Sequence, residues 1–264
     1  MKSQTIRWPH RWQINVRACH HNFVGKDTKV LTYRTPCILL AFFLLLSLAC
    51  QTAKLSELEN STASPTPVVS DDVNRKTSEP YTGDLSIFED AQRDKNLQIN
   101  RVMDILKISN GKSVADVGAG SGWFTVRAAK RVGDKGQVFA VEINQGYIDH
   151  INDRAKKEGF ANIKTILATE DNPLLGKQTV DAVLILKTYH EIAQPIRYMK
   201  NLRVSLRDGA LVGIIDRNGN GDDHGIKKEI VVSEAKQAGY LLKDQYDFIK
   251  PDGMDYFLVF QVQK

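Results

Sequence analysis

The sequence predicts an α/β fold, a doubly wound, mostly parallel seven-stranded sheet with an antiparallel C-terminal strand. Three observations predict it. From residue 87 onward short apolar runs alternate with amphipathic stretches, the order that a parallel sheet with crossover helices requires. The run "VDAVLILKTY" (180–189) is apolar nearly throughout, as a strand covered on both faces should be. The last two runs are separated by "PDGM" (251–254), a turn sequence that reverses the chain and sets one of them antiparallel to the rest.

The elements follow in order. "IFEDAQRDKNLQINRVMDILKI" (87–108) places Leu97, Val102, Ile105 and Leu106 near helical spacing, and Gly111 breaks the chain before a first strand, "SVADVGA" (113–119). "WFTVRAAKRVG" (123–133) reads as a helix closed by Gly133. A second strand (136–143), a second helix (146–160), a third strand (162–168) and the fourth strand come next. "PIRYMKNLRVSLRDG" (195–209) predicts a helix, "ALVGIID" (210–216) a fifth strand and "IKKEIVVSEAKQAGY" (226–240) a further helix. "KDQYDFIK" (243–250) and "DYFLVFQVQ" (255–263) predict the closing pair of strands. The globular domain is expected over 85–264.

The bulk charge looks basic but is not distributed over that domain. The formal net charge of the 264 residues is +5. Residues 1–49 carry seven Lys/Arg and one acid, which is +6, so the remainder is −1. That argues against a nucleic-acid partner. Cys19, Cys37 and Cys50 also lie at the N-terminal end, so the domain has no disulfide, thiolate metal site or cysteine nucleophile.

The first 50 residues read as a basic leader and signal peptide. The apolar stretch from Cys37 to Cys50 is shorter than the ~20 residues a membrane span needs, and it fits the h-region of a signal peptide. Its end, Ser47-Leu48-Ala49-Cys50, resembles a bacterial lipobox, which implies cleavage before Cys50 and a lipid on its thiol. A Leu is more usual where Ser47 stands. An ordinary buried helix or an uncleaved anchor is the alternative. Residues 51–84, rich in Ser, Thr, Pro, Asn and acids, read as a flexible linker. The expected location is the bacterial cell envelope on the periplasmic side, or else a membrane anchor with the domain facing the cytoplasm.

The stretch "VADVGAGSGWF" (114–124) carries the chemistry. Glycines after a first strand let a ligand approach the backbone, with the amides of the next helix facing it. Gly118, Gly120 and Gly122 fall in G-x-G-x-G, and Trp123 stands where the dinucleotide pattern needs its third glycine. The one G-K-[ST], Gly111-Lys112-Ser113, precedes the first strand and has Leu106 where the pattern needs its first glycine, so a nucleotide P-loop fails as well. Asp116-x-Gly118-x-Gly120-x-Gly122 resembles motif I of class I S-adenosylmethionine (SAM)-dependent methyltransferases, and the likeness extends over about residues 100–264, terminal antiparallel strand included. The resemblance implies SAM as cofactor. It gives Gly118, Gly120 and Gly122 the methionyl part, Asp116 the ammonium group, Glu142 the two ribose hydroxyls and Ile143 a face of the adenine. After the third strand, "LATEDNPLL" offers Thr169, Glu170 and Asp171 for the adenine amine, with Asp171 favoured.

Methyl transfer is mostly positioning, sometimes with a base to remove a proton. "LKTYHEI" (186–192) follows the fourth strand, where ligands bind in such sheets. His190 is the candidate base, since an imidazole titrates near neutrality. Tyr189 and Glu191 are expected to orient it or the substrate; alternatively Tyr189 packs over SAM and His190 caps a helix. Asp216 and Arg217 end the fifth strand and are expected to line the pocket. "DRNGNGDDHGIK" (216–227) opens like a calcium-binding EF-hand loop, but Lys227 occupies the place of the bidentate Glu, so no metal is expected and His224 reads as a loop residue. The expected acceptor is a small molecule. The runner-up is an envelope-tethered binding module of the same fold without activity, because a lipoprotein signal would carry the domain away from cytoplasmic SAM.

Overall fold

The computed structural model describes residues 73–78, 81, 83–219, 224–250 and 252–263. The leader, Cys50 and the linker up to residue 72 lie outside the described residues. One seven-stranded sheet organises the rest. Its strands are β1 (Ser113–Val117), β2 (Gln137–Glu142), β3 (Ile163–Leu167), β4 (Val180–Leu186), β5 (Leu206–Arg217), β6 (Tyr240–Tyr246) and β7 (Asp255–Val262). The order across the sheet is β3-β2-β1-β4-β5-β7-β6. Strands β1 to β5 pair in parallel, and β7 runs antiparallel to both β5 and β6.

Helices cover both faces, as a parallel sheet demands. They are α1 (Arg93–Leu97), α2 (Ile99–Ile105), α3 (Trp123–Val132), α4 (Gln145–Glu158), α5 (Pro195–Ser205) and α6 (Lys228–Gln237). The period-2 alternation of each strand sorts side chains between two apolar layers. Val114, Leu184, Ile215 and Phe257 pack with Val102, Met103, Trp123 and Phe124 from the early helices. Ala115, Val183, Ile214 and Leu258 pack with Met199, Leu202, Val231 and Ala235 from α5 and α6. Each fully buried aliphatic side chain of this kind contributes about 1.5–3 kcal/mol.

Local chemistry sets the element ends. Asn144 caps α4 by accepting the Gly146 and Tyr147 N–H groups at 2.8 and 3.3 Å, and Gly159 closes it in the left-handed region at φ 77°. Pro195 opens α5, where its missing N–H costs nothing.

Three boundaries differ from the sequence expectation. The helix expected over 87–108 is broken at Gln98, whose φ is 46°. Leu97 and Ile99 are both buried, which one continuous helix cannot achieve with residues 200° apart; the break resets the phase. The helix expected over 195–209 stops at Ser205, because Leu206 pairs with Val180 and extends β5. The penultimate strand lies at Tyr240–Tyr246 rather than 243–250, so residues 247–254, and not "PDGM" alone, make the connection. Ile249 leaves the sheet for the core, where it is fully buried, and the Lys250 N–H donates to Asn96 O at 3.0 Å.

Candidate functional site

Because β1 to β5 are parallel, their C-terminal ends share one edge of the sheet. The chain winds outward in opposite directions from β1 and β4, and a crevice opens where the order reverses. The residues singled out by the sequence converge on this edge.

The glycine loop leaves β1 there. The Gly118 and Ala119 N–H groups both donate to Val141 O, at 2.9 and 3.2 Å, which folds the loop over the end of β2. Gly118 has φ 70°, and a Cβ on it would lie 2.3–2.7 Å from the Thr188 side chain, so only glycine fits between β1 and the turn after β4. A Cβ on Gly120 would meet nothing within 4 Å; this residue faces open space, as a backbone that receives a ligand must. Asp116 lies beneath the loop, 2% exposed, accepting from the Thr125 hydroxyl at 2.6 Å. Burial raises its carboxyl to about 7, against the Thr125 hydrogen bond and the Arg93 charge, which pull it down.

Glu142 ends β2 beside this loop. One carboxylate oxygen accepts the Gly120 N–H at 3.0 Å and the other accepts the Ile143 N–H at 2.8 Å. Ile143 is 45% exposed at the same rim, a large apolar side chain left facing outward. Asp171 lines a cleft of about 270 Å³ with Thr169, Glu170, Ala193 and Gln194. Its carboxylate is held by the Thr169 hydroxyl at 2.9 Å, and its backbone carbonyl by Asn201 Nδ2 at 2.8 Å.

Beyond β4, Tyr189–Glu191 form a single 3-10 turn with no side-chain cap. His190 is anchored to β5. Its backbone N–H donates to Asp216 Oδ2 at 3.1 Å, and its ring Nδ1 lies 2.9 and 3.0 Å from the two Asp216 oxygens. Asp216 is fully buried. A carboxylate at Nδ1 fixes the proton there and leaves Nε2 as the basic nitrogen. Burial lowers the imidazole's affinity for protons, but the hydrogen bond and charge of Asp216, with the charge of Glu191, outweigh it and raise the pKa above 6.5. Glu191 Oε1 lies 3.3 Å from His190 Nε2 and 3.5 Å from His224 Nδ1. These three side chains are compact enough to hold a cation. Both Glu191 oxygens are already engaged by Ser78, however, at 2.7 and 2.8 Å, and the group reads as hydrogen-bonded.

Tyr189 does not join the site as expected. Its ring is fully buried, and its hydroxyl donates to Glu234 Oε2 on α6 at 3.0 Å, because an apolar layer lies beneath the turn and Glu234 is the polar partner it meets there. Burial, then the Glu234 charge, pushes its pKa well above the usual phenol value. Asn218, part of the calcium-like pattern, instead accepts the Lys228 N–H at 3.2 Å at the start of α6; residues 220–223 lie outside the described residues. Sequence reasoning gave Asp216 only a lining role, and it missed Arg75 and Ser78, which lie in the expected linker and carry no motif.

Comparison with known proteins agrees with this geometry. Residues 114–209 match the family model described as a methyltransferase domain. The chain is 24% identical over 94 residues to protein-L-isoaspartate O-methyltransferase of Methanococcoides burtonii, covering 36% of this chain and 46% of that protein. It is 30% identical over 95 residues to aklanonic acid methyltransferase DauC of a Streptomyces species, covering 36% and 42%. The matches thus span less than half the length of these curated relatives. Among solved structures, a SAM-dependent methyltransferase from Aquifex aeolicus superposes with a TM-score of 0.62 at 21% identity, covering 67% of this chain and 96% of that one. The chain has the class I SAM-dependent methyltransferase fold.

Proposed function

We propose that the chain is a SAM-dependent methyltransferase that methylates a small-molecule acceptor, with His190 as the base. The observation that carries this is the His190–Asp216 pair standing at the same sheet edge as the glycine loop and Glu142. The residues fit the cofactor. Gly120 presents open backbone, Glu142 offers a fixed carboxylate for a vicinal diol, and Ile143 offers an outward apolar face for a base. The Gly120 N–H now held by Glu142 is the contact that ribose hydroxyls would replace. Asp171 borders the cleft on the side of β3 and would meet the adenine amine.

When bound, SAM supplies a methyl group on a sulfonium sulfur, a leaving group that needs no protonation. His190 Nε2 takes the acceptor's proton as that acceptor is methylated. Asp216 holds Nδ1–H, and Asp216 with Glu191, whose Oε1 lies 3.3 Å from Nε2, stabilises the imidazolium that results. The −1 charge of residues 50–264 favours a small molecule over nucleic acid as acceptor. The leader supports attachment at the cell envelope through a lipid on Cys50, tested by incorporation of labelled palmitate that Cys50→Ser abolishes.

Two measurements test the activity. Calorimetric titration should give SAM and S-adenosylhomocysteine dissociation constants in the micromolar range. Release of S-adenosylhomocysteine in the presence of a small-molecule extract should fall about 10²–10⁴-fold in His190→Ala while SAM binding holds. Binding without turnover on any extract would assign the domain to a binding role, and absence of binding would remove both.

A further inference from the structure

We propose that Arg75 is a positioning residue for methyl transfer, and that residues 73–78 form a strap that holds the His190 turn in its working place. The inference rests on the reading of His190 as base. The turn Tyr189–Glu191 has no side-chain cap of its own and is tied to the sheet through the backbone and ring of His190 on Asp216. The residues on either side of His190 are held from elsewhere. Arg75 Nη1 donates to the carbonyls of Tyr189 and Ile192 at 3.0 and 3.3 Å, and the Arg75 N–H donates to Ala193 O at 2.7 Å. Ser78 donates through its N–H and its hydroxyl to the two oxygens of Glu191 at 2.7 and 2.8 Å.

The guanidinium is itself locked. Arg75 Nη2 meets both oxygens of Glu234 at 2.7 and 2.8 Å, and that carboxylate is 2% exposed. Glu234 also accepts the Tyr189 hydroxyl, so strap, turn and α6 meet at one planar fork. An Arg suits this place because its fixed donors serve a bidentate carboxylate and two carbonyls at once, which a Lys cannot do. The links cross 113 to 159 residues of sequence, so the turn's geometry depends on a segment far outside the strand that carries it. Farther along, the Tyr147 hydroxyl donates to the Tyr81 carbonyl, which continues the N-terminal segment toward the cofactor side of the edge. Among the described residues, the charged and titratable groups that face His190 are Asp216 from β5, Glu191 from its own turn, Lys187 just after β4 and His224 from the loop after β5. Releasing the strap alters the placement of Glu191 first.

The test uses the full chain and its Arg75→Ala, Arg75→Lys and Ser78→Ala forms. Turnover is read as S-adenosylhomocysteine release with the small-molecule extract, SAM affinity by calorimetry, and the His190 titration midpoint by NMR. Arg75→Ala should lower kcat at least tenfold with the SAM dissociation constant unchanged within about twofold, Arg75→Lys should recover part of that loss, and the His190 midpoint should move in both Ala variants. Ser78 is exposed, so its variant leaves no buried charge and reports even if Arg75→Ala fails to fold. Unchanged kcat and an unchanged His190 midpoint in Ser78→Ala and Arg75→Lys would overturn the strap. Failure of the unaltered chain to turn over SAM would overturn the functional reading instead, and the NMR midpoint would still report on the strap.

Discussion

His190 and Asp216 set the pH at which the site can accept a proton. Because Asp216 and Glu191 raise the imidazole above 6.5, kcat/KM should rise with pH through an apparent pKa above that value. Asp216→Asn removes the largest raising influence, so its profile should move to lower pH while the maximum rate falls. A profile with no limb in this range would remove His190 from proton transfer. Asp116 makes a second prediction, on stability. Its folded value is about 7 and its ordinary value 3.8, so between these the folded state keeps a proton that the unfolded chain has released. Stability therefore falls as pH rises from about 4 to 7 and levels off above. Asp116→Asn should show a flatter fall of the urea midpoint over that window. The places of Glu142 and His190 at one edge of the sheet were legible because each ends or follows a run that the sequence marks as a strand. Tyr189 was not, since an aromatic beside a histidine looks the same in sequence whether it faces a ligand or the core. Asp216 announced itself only as a strand-end acid, its partner lying 26 residues upstream.

Among elements, the glycine loop separates two requirements. Gly118→Ala sets a methyl group against Thr188 in a left-handed conformation, and should cost about 1–3 kcal/mol of stability together with SAM affinity. Gly120→Ala points its methyl group into open space, so its main effect should be weaker SAM binding, with the smaller loss of melting temperature. Equal losses of stability would show that the loop, and not Thr188, sets the constraint. Strand identity and the alternation with helices were readable because a short apolar run such as 180–186, bounded by polar residues, suits a strand buried on both faces and little else. Boundaries were not. Gln98 breaks a helix to bury two residues on one side, Leu206 joins β5 through pairing with Val180, and Ile249 leaves a strand pattern for the core. Each is decided by tertiary contact that local propensity does not encode.

Across the whole molecule, the crevice joins residues from the ends of β1, β2 and β4, so ligand binding should be felt by the entire domain. SAM at 100 times its dissociation constant should add about 2.7 kcal/mol of stability, read as a rise in melting temperature that NAD does not reproduce. The doubly wound, mostly parallel sheet and its antiparallel closing strand were legible from element order. The strap was not, because Arg75 sits in a Ser/Thr/Pro-rich run whose composition resembles that of the residues before it.

The place of β7 has a consequence for the order in which the chain can be assembled. It lies between β5 and β6, and among the described residues β6 pairs with no other strand. Tyr240–Tyr246 therefore has no seat on the sheet until Asp255–Val262 has been synthesised and laid down. A ribosome still holding those residues holds an unfinished sheet. The last strand acts as the latch that ends this interval, and cofactor binding belongs to the time after it closes.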